Sequence, residues 1–465
     1  MSAEPVLRVP WGLAERIQAL LHPQPFQERF AFAVARPLQK DSDAPSALLE
    51  QLILLDTEDY ERASDASLVL TDKASSRLNR WAVQLGDKGW LAVHLHSHPS
   101  GIDHFSATDD AAESALSQWL DSQGVAHYWS LVWPSRGIPR ARLWMCGKPF
   151  DGQLYLGLAP MDTTTSTASP ALDRQRAFGP GLRQAAKQIR VGLVGVGGLG
   201  MLALEQLARA GFRRFVLVDP DTIEVSNLNR LPSVTARDIG RFKVQVGKRL
   251  VQQIARSLDD EAEVSAWKQD IYRSRAAQRA LGSCDLILAV TDNELSRTMA
   301  LSLALDSGRE YLQAGSDITL GEDGSIIGLR AEVTGAETGR YCPICSGRLS
   351  PGQASIEARA YASGEVVAHA RSEGYLPDVA APAVMSLNSV AAGMLVMEIQ
   401  RRASGLGVRD LVQMDLQSSR MLVQDRVQVG HDCEICGALA SPPTTSPKAP
   451  TLRPSLGVTK ISDHP

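Results

Sequence analysis

The sequence predicts an α/β protein built from two domains with different chemistry. An apolar strand at residues 189–194 runs into a glycine-rich turn and then a helix, which is typical of a parallel sheet that binds a nucleotide. A separate apolar strand at residues 91–96 opens onto a turn rich in histidine. Between them lies PMDTTTSTASP, within a predicted linker of residues 159–172.

Composition places the chain among ordinary globular proteins. Its 465 residues suggest about two to four domains, the net charge is −4, and 44 % of the residues are hydrophobic. The N-terminus has no basic region followed by an apolar one, so we expect no secretory signal and a cytoplasmic location. The chain lacks the overall basic charge that would indicate a nucleic-acid partner, and we expect no membrane association.

The first domain is predicted to cover residues 1–158. Its elements are a helix at residues 11–22, a strand at 28–35, a further apolar run at 47–55 and the strand at 91–96. The last strand leads into His96, His98 and, further on, Asp109. Histidines two apart on a strand point to one face, so both can reach one ion, and Asp109 can bring a third ligand. Three protein ligands leave zinc an open position for water, as in a catalytic site.

This pattern also has simpler interpretations. Ser106 and Asp109 could form only a helix capping box, and His94, His96 and His98 could be polar residues of a half-buried strand. However, H-S-H-P, followed seven positions later by the serine and then by the aspartate, resembles the signature of the JAMM (JAB/MPN) zinc metalloproteases. The resemblance implies that His96, His98 and Asp109 bind a catalytic Zn²⁺ and that Ser106 donates a hydrogen bond to the tetrahedral intermediate.

The resemblance also implies an upstream glutamate that takes a proton from the attacking water. That family places it just after the first helix, at the first strand, so Glu28 is the predicted base. The alternatives are Glu50, which is expected to face solvent on a helix, and Glu58 and Glu61.

The second domain is predicted to cover residues 173–437, and its glycine-rich turn begins a nucleotide site. Glycines in such a turn let backbone N–H groups and a helix N-terminus approach a phosphate, here at Gly195, Gly197, Gly198 and Gly200. The helix is expected at residues 201–210, and a strand at 215–218 then delivers Asp219, whose carboxylate can hold ribose hydroxyls. Taken alone, these features would also fit a dinucleotide-binding dehydrogenase.

Charged residues downstream favour a nucleoside triphosphate instead. Arg230 and Lys243 follow the ribose carboxylate, and an enzyme that attacks a triphosphate needs cations to neutralise the departing pyrophosphate. The apolar stretch at residues 284–293 then ends near Asp292, a carboxylate placed to ligate Mg²⁺.

In order and spacing, GxGGxG, DxD, SNLNR, the downstream lysine and TDN resemble the ThiF/MoeB family of adenylating domains, which are related to ubiquitin-activating enzymes. The resemblance covers residues 174–436 and implies a Rossmann-like fold that binds Mg-ATP. It adds Asp221 and Asn227 to the nucleotide site. It also implies a homodimer in which the arginine of an Arg-Gln pair reaches the partner's ATP. Arg174 fits by its glutamine, while Arg176 and a plain surface role remain alternatives.

Two CxxC pairs predict a second metal site. They supply four thiolates, enough for a closed, structural Zn²⁺ site, from Cys342, Cys345, Cys433 and Cys436. Redox chemistry is less favoured because a single pair would suffice for it. Residues 380–397 are uncharged and rich in small residues, which favours a buried helix over a membrane span. Residues 438–465 have the composition of a disordered tail.

The two resemblances together predict a bifunctional enzyme. The first domain would cleave a peptide or isopeptide bond beside the C-terminus of a ubiquitin-like protein, and the second would adenylate that C-terminus with Mg-ATP. A JAMM–ThiF fusion is similar to proteins of bacterial ubiquitin-like conjugation systems, some of which are linked to phage defence. A conjugating enzyme would be a further partner in such a system. The alternative is a sulfur-carrier protein, converted to a thiocarboxylate with a sulfurtransferase. A third interpretation is a scaffold with one decayed site.

The cysteine positions argue against a thioester on this chain. No cysteine lies between Cys345 and Cys433, Cys284 opens a core strand, and Cys146 belongs to the other domain. We therefore expect activation to stop at the adenylate or to pass to a nucleophile outside this chain.

Overall fold

The computed structural model describes residues 4–22, 27–38, 45–64, 68–98, 100–163, 170–338, 340–362, 383–425, 427, 433 and 435–437. These residues form two compact units, called unit 1 (residues 4–163) and unit 2 (residues 170–437). Among the described helices, none combines the length and the apolar character that a bilayer crossing requires.

Unit 1 is built on a sheet that closes on itself. Its strands are β1 Val6–Val9, β2 Phe30–Pro37, β3 Ser46–Leu54, β4 Tyr60–Ala63, β5 Leu68–Leu70, β6 Leu91–His98, β7 His127–Pro134, β8 Arg140–Met145, β9 Lys148–Leu156 and β10 Ala159–Pro160. The spatial order is β1-β3-β2-β6-β7-β8-β9-β10, and β1 also pairs with β9, while β4 and β5 form a separate two-stranded ribbon. Apolar runs such as FAFAVA in β2 are buried almost throughout because a hydrophobic cluster packs against each face of the sheet.

In the described part of unit 1, three α-helices cover this sheet: α1 Trp11–Leu21, α2 Asp72–Asp87 and α3 Ala107–Ser122. Ile17 and Leu21 of α1 pack in one hydrophobic cluster, whereas Leu78 and Leu85 of α2 pack in another with Phe32. Side chains of β2 alternate between the two clusters, so the sheet has a core on each face.

The sequence-based elements of unit 1 are largely confirmed, with one correction. The predicted helix at 11–22 is α1, and the strands predicted at 28–35 and 91–96 are β2 and β6. The placement of Glu50 on a solvent-facing helix is wrong. Glu50 lies on β3, its side chain is 9 % exposed, and its Oε1 accepts a hydrogen bond from Arg36 Nε at 2.7 Å. The run forms a strand because β1 and β2 both pair with it.

Unit 2 contains a second eight-stranded sheet. Its strands are β11 Arg190–Val194, β12 Arg214–Val218, β13 Glu263–Trp267, β14 Leu286–Ala289, β15 Glu310–Leu320, β16 Ile326–Ala336, β17 Leu411–Asp415 and β18 Arg420–Gln424. Their order is β13-β12-β11-β14-β15-β16-β17-β18, with the first five parallel and the last three antiparallel. The chain runs from β11 outward to β12 and β13 and then returns to β14 on the other side of β11. This reversal leaves a crevice at the carboxyl ends of β11 and β14, where open α/β sheets bind ligands.

Within the described residues, seven α-helices accompany this sheet: α4 Gly179–Gln188, α5 Gly198–Arg209, α6 Lys243–Ser257, α7 Arg275–Gly282, α8 Glu294–Ser307, α9 Pro351–Ala362 and α10 Met385–Ala403. The glycine-rich helix α5 begins three residues before its predicted start at residue 201. The buried helix predicted at 380–397 is confirmed as α10, whose Leu395 and Ile399 are fully buried. The predicted tail and residues 164–169 of the predicted linker lie outside the described residues, whereas residues 159–160 of that linker form β10.

Candidate functional site

A cavity of ≈ 360 Å³ opens at the carboxyl ends of β11, β12 and β14 in unit 2. It brings together eight residues that the sequence assigned to a nucleotide site: Gly195, Gly197, Gly198, Asp219, Asp221, Arg230, Lys243 and Asp292. Three others, Gly200, Asn227 and Arg174, do not line it.

The glycine-rich turn is shaped by close backbone packing. Gly195 has a φ of 93°, and a Cβ there would lie 2.9 Å from Thr291 Cγ2. A Cβ on Gly200 would lie 2.1 Å from the Gly195 carbonyl oxygen, so only glycine lets α5 start so close to the strand. A Cβ on Gly197 would meet no atom within 4 Å, and no side chain caps α5. The turn therefore presents an open helix N-terminus, which favours an anion.

Asp219 is held by the backbone on both sides. Its Oδ2 accepts a hydrogen bond from Val196 N at 2.6 Å, and its Oδ1 accepts one from Asp221 N at 2.9 Å. Burial raises the pKa of Asp219, and the positive charge of Lys243 offsets part of this rise. The carboxylate is thus fixed beside the glycine-rich turn, with a second lone pair on each oxygen left to accept from a ligand.

Lys243 and Arg230, the two cations predicted for the site, each bond to residues of the segment between β12 and α6. Lys243 Nζ lies 2.7 Å from Asp221 Oδ2, and its backbone N donates to the Asp221 carbonyl at 2.9 Å, which fixes the start of α6. The Arg230 guanidinium donates to the Ser226 carbonyl and, at 3.3 Å, to Asn229 Oδ1.

Asp292 follows β14 and is exposed toward the cavity. Within the described residues, no hydrogen bond or ion pair engages its carboxylate. The next residue, Asn293, caps α8 because its Oδ1 accepts from Ser296 N at 2.8 Å. A free carboxylate on a fixed turn is suited to a hard divalent cation such as Mg²⁺.

Asn227 and Arg174 lie outside this cavity. Asn227 is buried, and its Oδ1 accepts from Glu224 N at 3.2 Å in a capping box, so it shapes the SNLNR loop. Arg174 is exposed on the 3-10 segment Pro170–Phe178.

Among the cavity residues that were not predicted from the sequence are Arg297, Ser316 and Asn388. Arg297 Nε donates to the Thr291 carbonyl at 2.8 Å and so braces the turn before Asp292. Ser316 Oγ donates to Asn388 Oδ1 at 2.7 Å. For Asn388, the only signal in the sequence was a polar side chain within an uncharged stretch of small residues.

Unit 1 brings His96, His98 and Asp109 together. Their ligand atoms lie within 4.8 Å of one another. His96 Nε2 lies 3.2 Å from His98 Nε2 and 3.4 Å from Asp109 Oδ1, and His98 Nε2 lies 3.9 Å from Asp109 Oδ2. Bonds of about 2.0–2.1 Å to one tetrahedral zinc would separate such atoms by roughly 3.3 Å. The spacing therefore fits three ligands of a single zinc.

Hydrogen bonds orient these groups. His98 Nδ1 lies 3.0 Å from the Ile102 carbonyl, to which it can donate while Nε2 keeps its lone pair. Burial lowers the pKa of His98, and His96 lowers it further, which favours the neutral imidazole that a metal ligand requires. Burial alone would raise the pKa of Asp109, but its hydrogen bond with His96 lowers it well below the usual range. The expected capping box is also present, since Ser106 N donates to Asp109 Oδ2 and Asp109 N to Ser106 Oγ.

Strand register separates the candidate glutamates. Phe30 of β2 pairs with His96 of β6, and Arg29 and Ser97 exchange hydrogen bonds beyond that pair. Extended by two residues, this register would bring Glu28 opposite His98, where paired side chains share a face, although β2 begins at Phe30 and Glu28 N donates to the Ser64 carbonyl. Glu50 neighbours the other end of β2 through Arg36, six residues from Phe30 or roughly 20 Å along the strand.

A buried polar cluster anchors the start of α3, which carries Asp109. Arg142 of β8 donates to Glu113 Oε2 at 2.7 Å and 2.9 Å, and Trp144 Nε1 donates to the same oxygen at 2.7 Å. Ser130 Oγ donates to it as well, at 2.6 Å. The Arg142 guanidinium also pairs with Asp110 and lies 3.7 Å from the centre of the Phe105 ring.

The four predicted cysteines converge in unit 2. Cys342 Sγ lies 3.8 Å from Cys433 Sγ, and Cys345 Sγ lies 4.0 Å from Cys436 Sγ. Zn–S bonds of about 2.3 Å in a tetrahedron would separate the sulfurs by roughly 3.8 Å. Hydrogen bonding from Cys342 and Cys436 lowers the pKa of the Cys345 thiol. The cluster therefore fits a closed zinc site.

Comparison with known proteins gives matches centred on unit 2. The model of the ThiF family matches residues 172–433. A NEDD8-activating enzyme E1 catalytic subunit of Caenorhabditis elegans is 31 % identical over 155 residues, which are 30 % of this chain and 36 % of the relative. The adenylyltransferase and sulfurtransferase UBA4 of Eremothecium gossypii is 30 % identical over 140 residues, 30 % of each chain. This chain thus spans about a third of the length of these relatives.

Among solved structures, MccB of E. coli with AMPCPP and MccA aligns with a TM-score of 0.44 and 18 % identity. The alignment covers 59 % of this chain and 76 % of MccB.

Proposed function

This chain belongs to the ThiF family, and from that membership we propose that unit 2 adenylates the C-terminal carboxylate of a ubiquitin-like or sulfur-carrier protein. The observation that carries the proposal is the cavity where Asp219, Arg230, Lys243 and Asp292 surround an open helix N-terminus. The names of the relatives, which include activating enzymes and an adenylyltransferase, support it.

In the proposed reaction a carboxylate oxygen of the substrate protein bonds to the α-phosphorus of ATP, and the bond to the pyrophosphate oxygen breaks. The products are an acyl-adenylate and pyrophosphate. Asp219 accepts hydrogen bonds from the ribose hydroxyls, while Lys243 and Arg230 neutralise the departing charge. Lys243 leaves Asp221 to do so, and the Asp221 carboxylate becomes free for solvent or metal. Asp292 would hold Mg²⁺, which supplies further charge neutralisation at the phosphates.

The test is ATP–pyrophosphate exchange with a candidate modifier protein. Lys243→Ala and Asp292→Ala should each reduce exchange at least a hundredfold, since each removes charge compensation in the transition state. Lys248→Ala, on the same helix and outside the cavity, is the matched control and should keep full exchange. Normal exchange in both cavity variants would refute the assignment.

For unit 1 we propose a JAMM-type zinc peptidase that cleaves a peptide or isopeptide bond at the modifier's C-terminus. The convergence of His96, His98 and Asp109, with Glu28 opposite His98 if the register of β2 and β6 is extended, supports it. A zinc ion held by the three ligands would supply a Lewis acid that activates water. Glu28 then takes the proton of that water and passes it to the leaving amine, and Ser106 donates to the developing oxyanion.

Cleavage of a modifier with a C-terminal extension tests this role. His98→Ala should abolish cleavage and lower the bound zinc, while His104→Ala, an exposed histidine outside the cluster, should change neither. Full cleavage by His98→Ala would exclude a zinc-dependent reaction.

The wider proposal is a cytoplasmic bifunctional enzyme in a bacterial ubiquitin-like conjugation pathway of the antiphage kind. Its domains are residues 1–158 and 173–437, with a linker at 159–172 and a tail at 438–465. We propose a structural zinc at the four cysteines and a homodimer in which Arg174 reaches the partner's ATP. A conjugating enzyme would accept the activated modifier.

The second candidate is thiocarboxylate formation on a sulfur carrier for cofactor or natural-product synthesis. The sulfurtransferase relative favours it. Mass spectrometry of the modifier after reaction with ATP and a sulfurtransferase distinguishes the two, because a thiocarboxylate replaces one oxygen by sulfur.

A further inference from the structure

We propose that Asn388 is a further catalytic residue of the adenylating site and donates its side-chain amide to the α-phosphate of the nucleotide. This inference rests on the proposed adenylation. Asn388 lies in the first turn of α10, lines the cavity and is only 5 % exposed.

Ser316 fixes the orientation of this amide. Its hydroxyl donates to Asn388 Oδ1 at 2.7 Å, which turns Nδ2 toward the glycine-rich turn. Nδ2 lies 2.6 Å from the point where a Cβ on Gly198 would stand. No described residue accepts a hydrogen bond from Nδ2. Because Asn388 lines the cavity, this amide donor is available to a ligand bound there.

The chemistry around Nδ2 selects an anionic ligand. The uncapped start of α5 faces the same point, and its dipole favours negative charge. Arg230 Cγ also lies 3.3 Å from the Cβ position of Gly198. The amide donor and the helix start therefore meet beside one glycine, while the Arg230 guanidinium is held by the Ser226 carbonyl.

The position also selects which phosphate is bound. Asp219, the proposed ribose ligand, is hydrogen-bonded to Val196 within the same turn. The phosphate attached directly to the ribose is the one that reaches Gly198 first. When the substrate carboxylate bonds to that phosphorus and pyrophosphate leaves, negative charge grows on its other oxygens, which a fixed N–H donor stabilises.

Calorimetric binding of AMP and of adenosine to the full chain tests the proposal. Asn388→Ala should weaken AMP binding about tenfold, or about 1.4 kcal/mol, and change adenosine binding less than about twofold. Asn388→Asp keeps the volume and an acceptor for Ser316 but replaces the donor with an anionic oxygen, so AMP should weaken further. Ser389→Ala is the control, because that hydroxyl donates to the Met385 carbonyl outside the cavity.

Equal weakening of AMP and adenosine, or unchanged AMP binding, in the Asn388 variants would overturn the inference and leave the proposed adenylation standing. A wild-type chain that binds neither AMP nor ATP would overturn both.

Discussion

Glu28 and Glu50 lead to opposite expectations for the base of the proposed peptidase. Glu28→Gln should retain zinc but lose cleavage by at least a hundredfold, because an amide cannot take the proton of the attacking water. Glu50→Gln is the matched control and should cleave normally, since its carboxylate is engaged by Arg36. Zinc content and cleavage rate measure the two effects. A dead Glu50 variant beside an active Glu28 variant would reverse the assignment.

Single residues were predictable where the signal lies in local spacing. His96, His98 and Asp109, or Asp219 and Asp221, stand a few residues apart on elements whose geometry is known. Asn388 was not predictable, because its contacts with Ser316 and Gly198 depend on the packing of α10 against distant strands. Asn227 shows the opposite limit, since membership of a motif did not reveal that its side chain caps its own loop.

At the scale of elements, the glycine-rich turn gives a matched pair of substitutions. Gly200→Ala should destabilise unit 2, by about 1–3 kcal/mol or more, because its Cβ would lie 2.1 Å from a carbonyl oxygen. Gly197→Ala should keep the stability, since its Cβ would meet nothing, but it should weaken ATP binding by occupying the open side of the turn. Thermal unfolding and ATP titration distinguish them. An unchanged melting temperature in Gly200→Ala would contradict the packing described.

The anchoring of α3 yields a second expectation for an element. Arg142→Met should destabilise unit 1 by about 3–5 kcal/mol, because it leaves the buried Glu113 carboxylate without its cation. Adding Glu113→Gln should recover a large part of that loss, since a neutral amide carries no buried charge. Chemical denaturation of the single and double variants measures the coupling. If Arg142→Met and the double variant were equally stable, the ion pair of Arg142 with Glu113 would contribute little to stability.

The type of an element, helix or strand, was predictable where the spacing of its apolar residues fitted one period. The residues at which elements begin and end were less predictable. The strand before the glycines and the helix after them follow from apolar runs and turn residues, yet α5 starts earlier than its apolar face indicates. The apolar run around Glu50 fits either period, and its pairing with β1 and β2 decided for a strand. Partner strands distant in sequence supply that information.

For the whole molecule, the two ligand clusters predict the metal content. The full chain should bind two zinc ions, His98→Ala should retain only the ion at the cysteines, and Cys345→Ser only the ion in unit 1. Elemental analysis after dialysis gives the stoichiometry. The cysteine variant should also lower the unfolding temperature of unit 2, because that cluster joins residues 342–345 to residues 433–436. A wild-type content of one zinc would exclude one cluster.

The proposed dimer can be tested by complementation. Arg174→Ala and Asp292→Ala should each be inactive in exchange, and their mixture should recover up to about a quarter of the wild-type rate if one arginine serves the partner's nucleotide. Arg176→Ala, whose guanidinium pairs with Asp173, is the control and should stay active. Mixtures that recover nothing would favour an arginine acting within its own chain.

The closed sheet of unit 1 has a consequence for the order of events during synthesis. Because β1, at residues 6–9, pairs with β9 at residues 153–156, the ring cannot close until nearly the whole unit has left the ribosome. Pairing between such distant segments also carries a large loop-closure entropy, so closure is expected to be slow relative to helix formation. Until then β1 has only β3 as a neighbour. The nascent chain would therefore expose an apolar strand edge until residues 153–156 have emerged, and a chaperone is best placed to cover it at that stage.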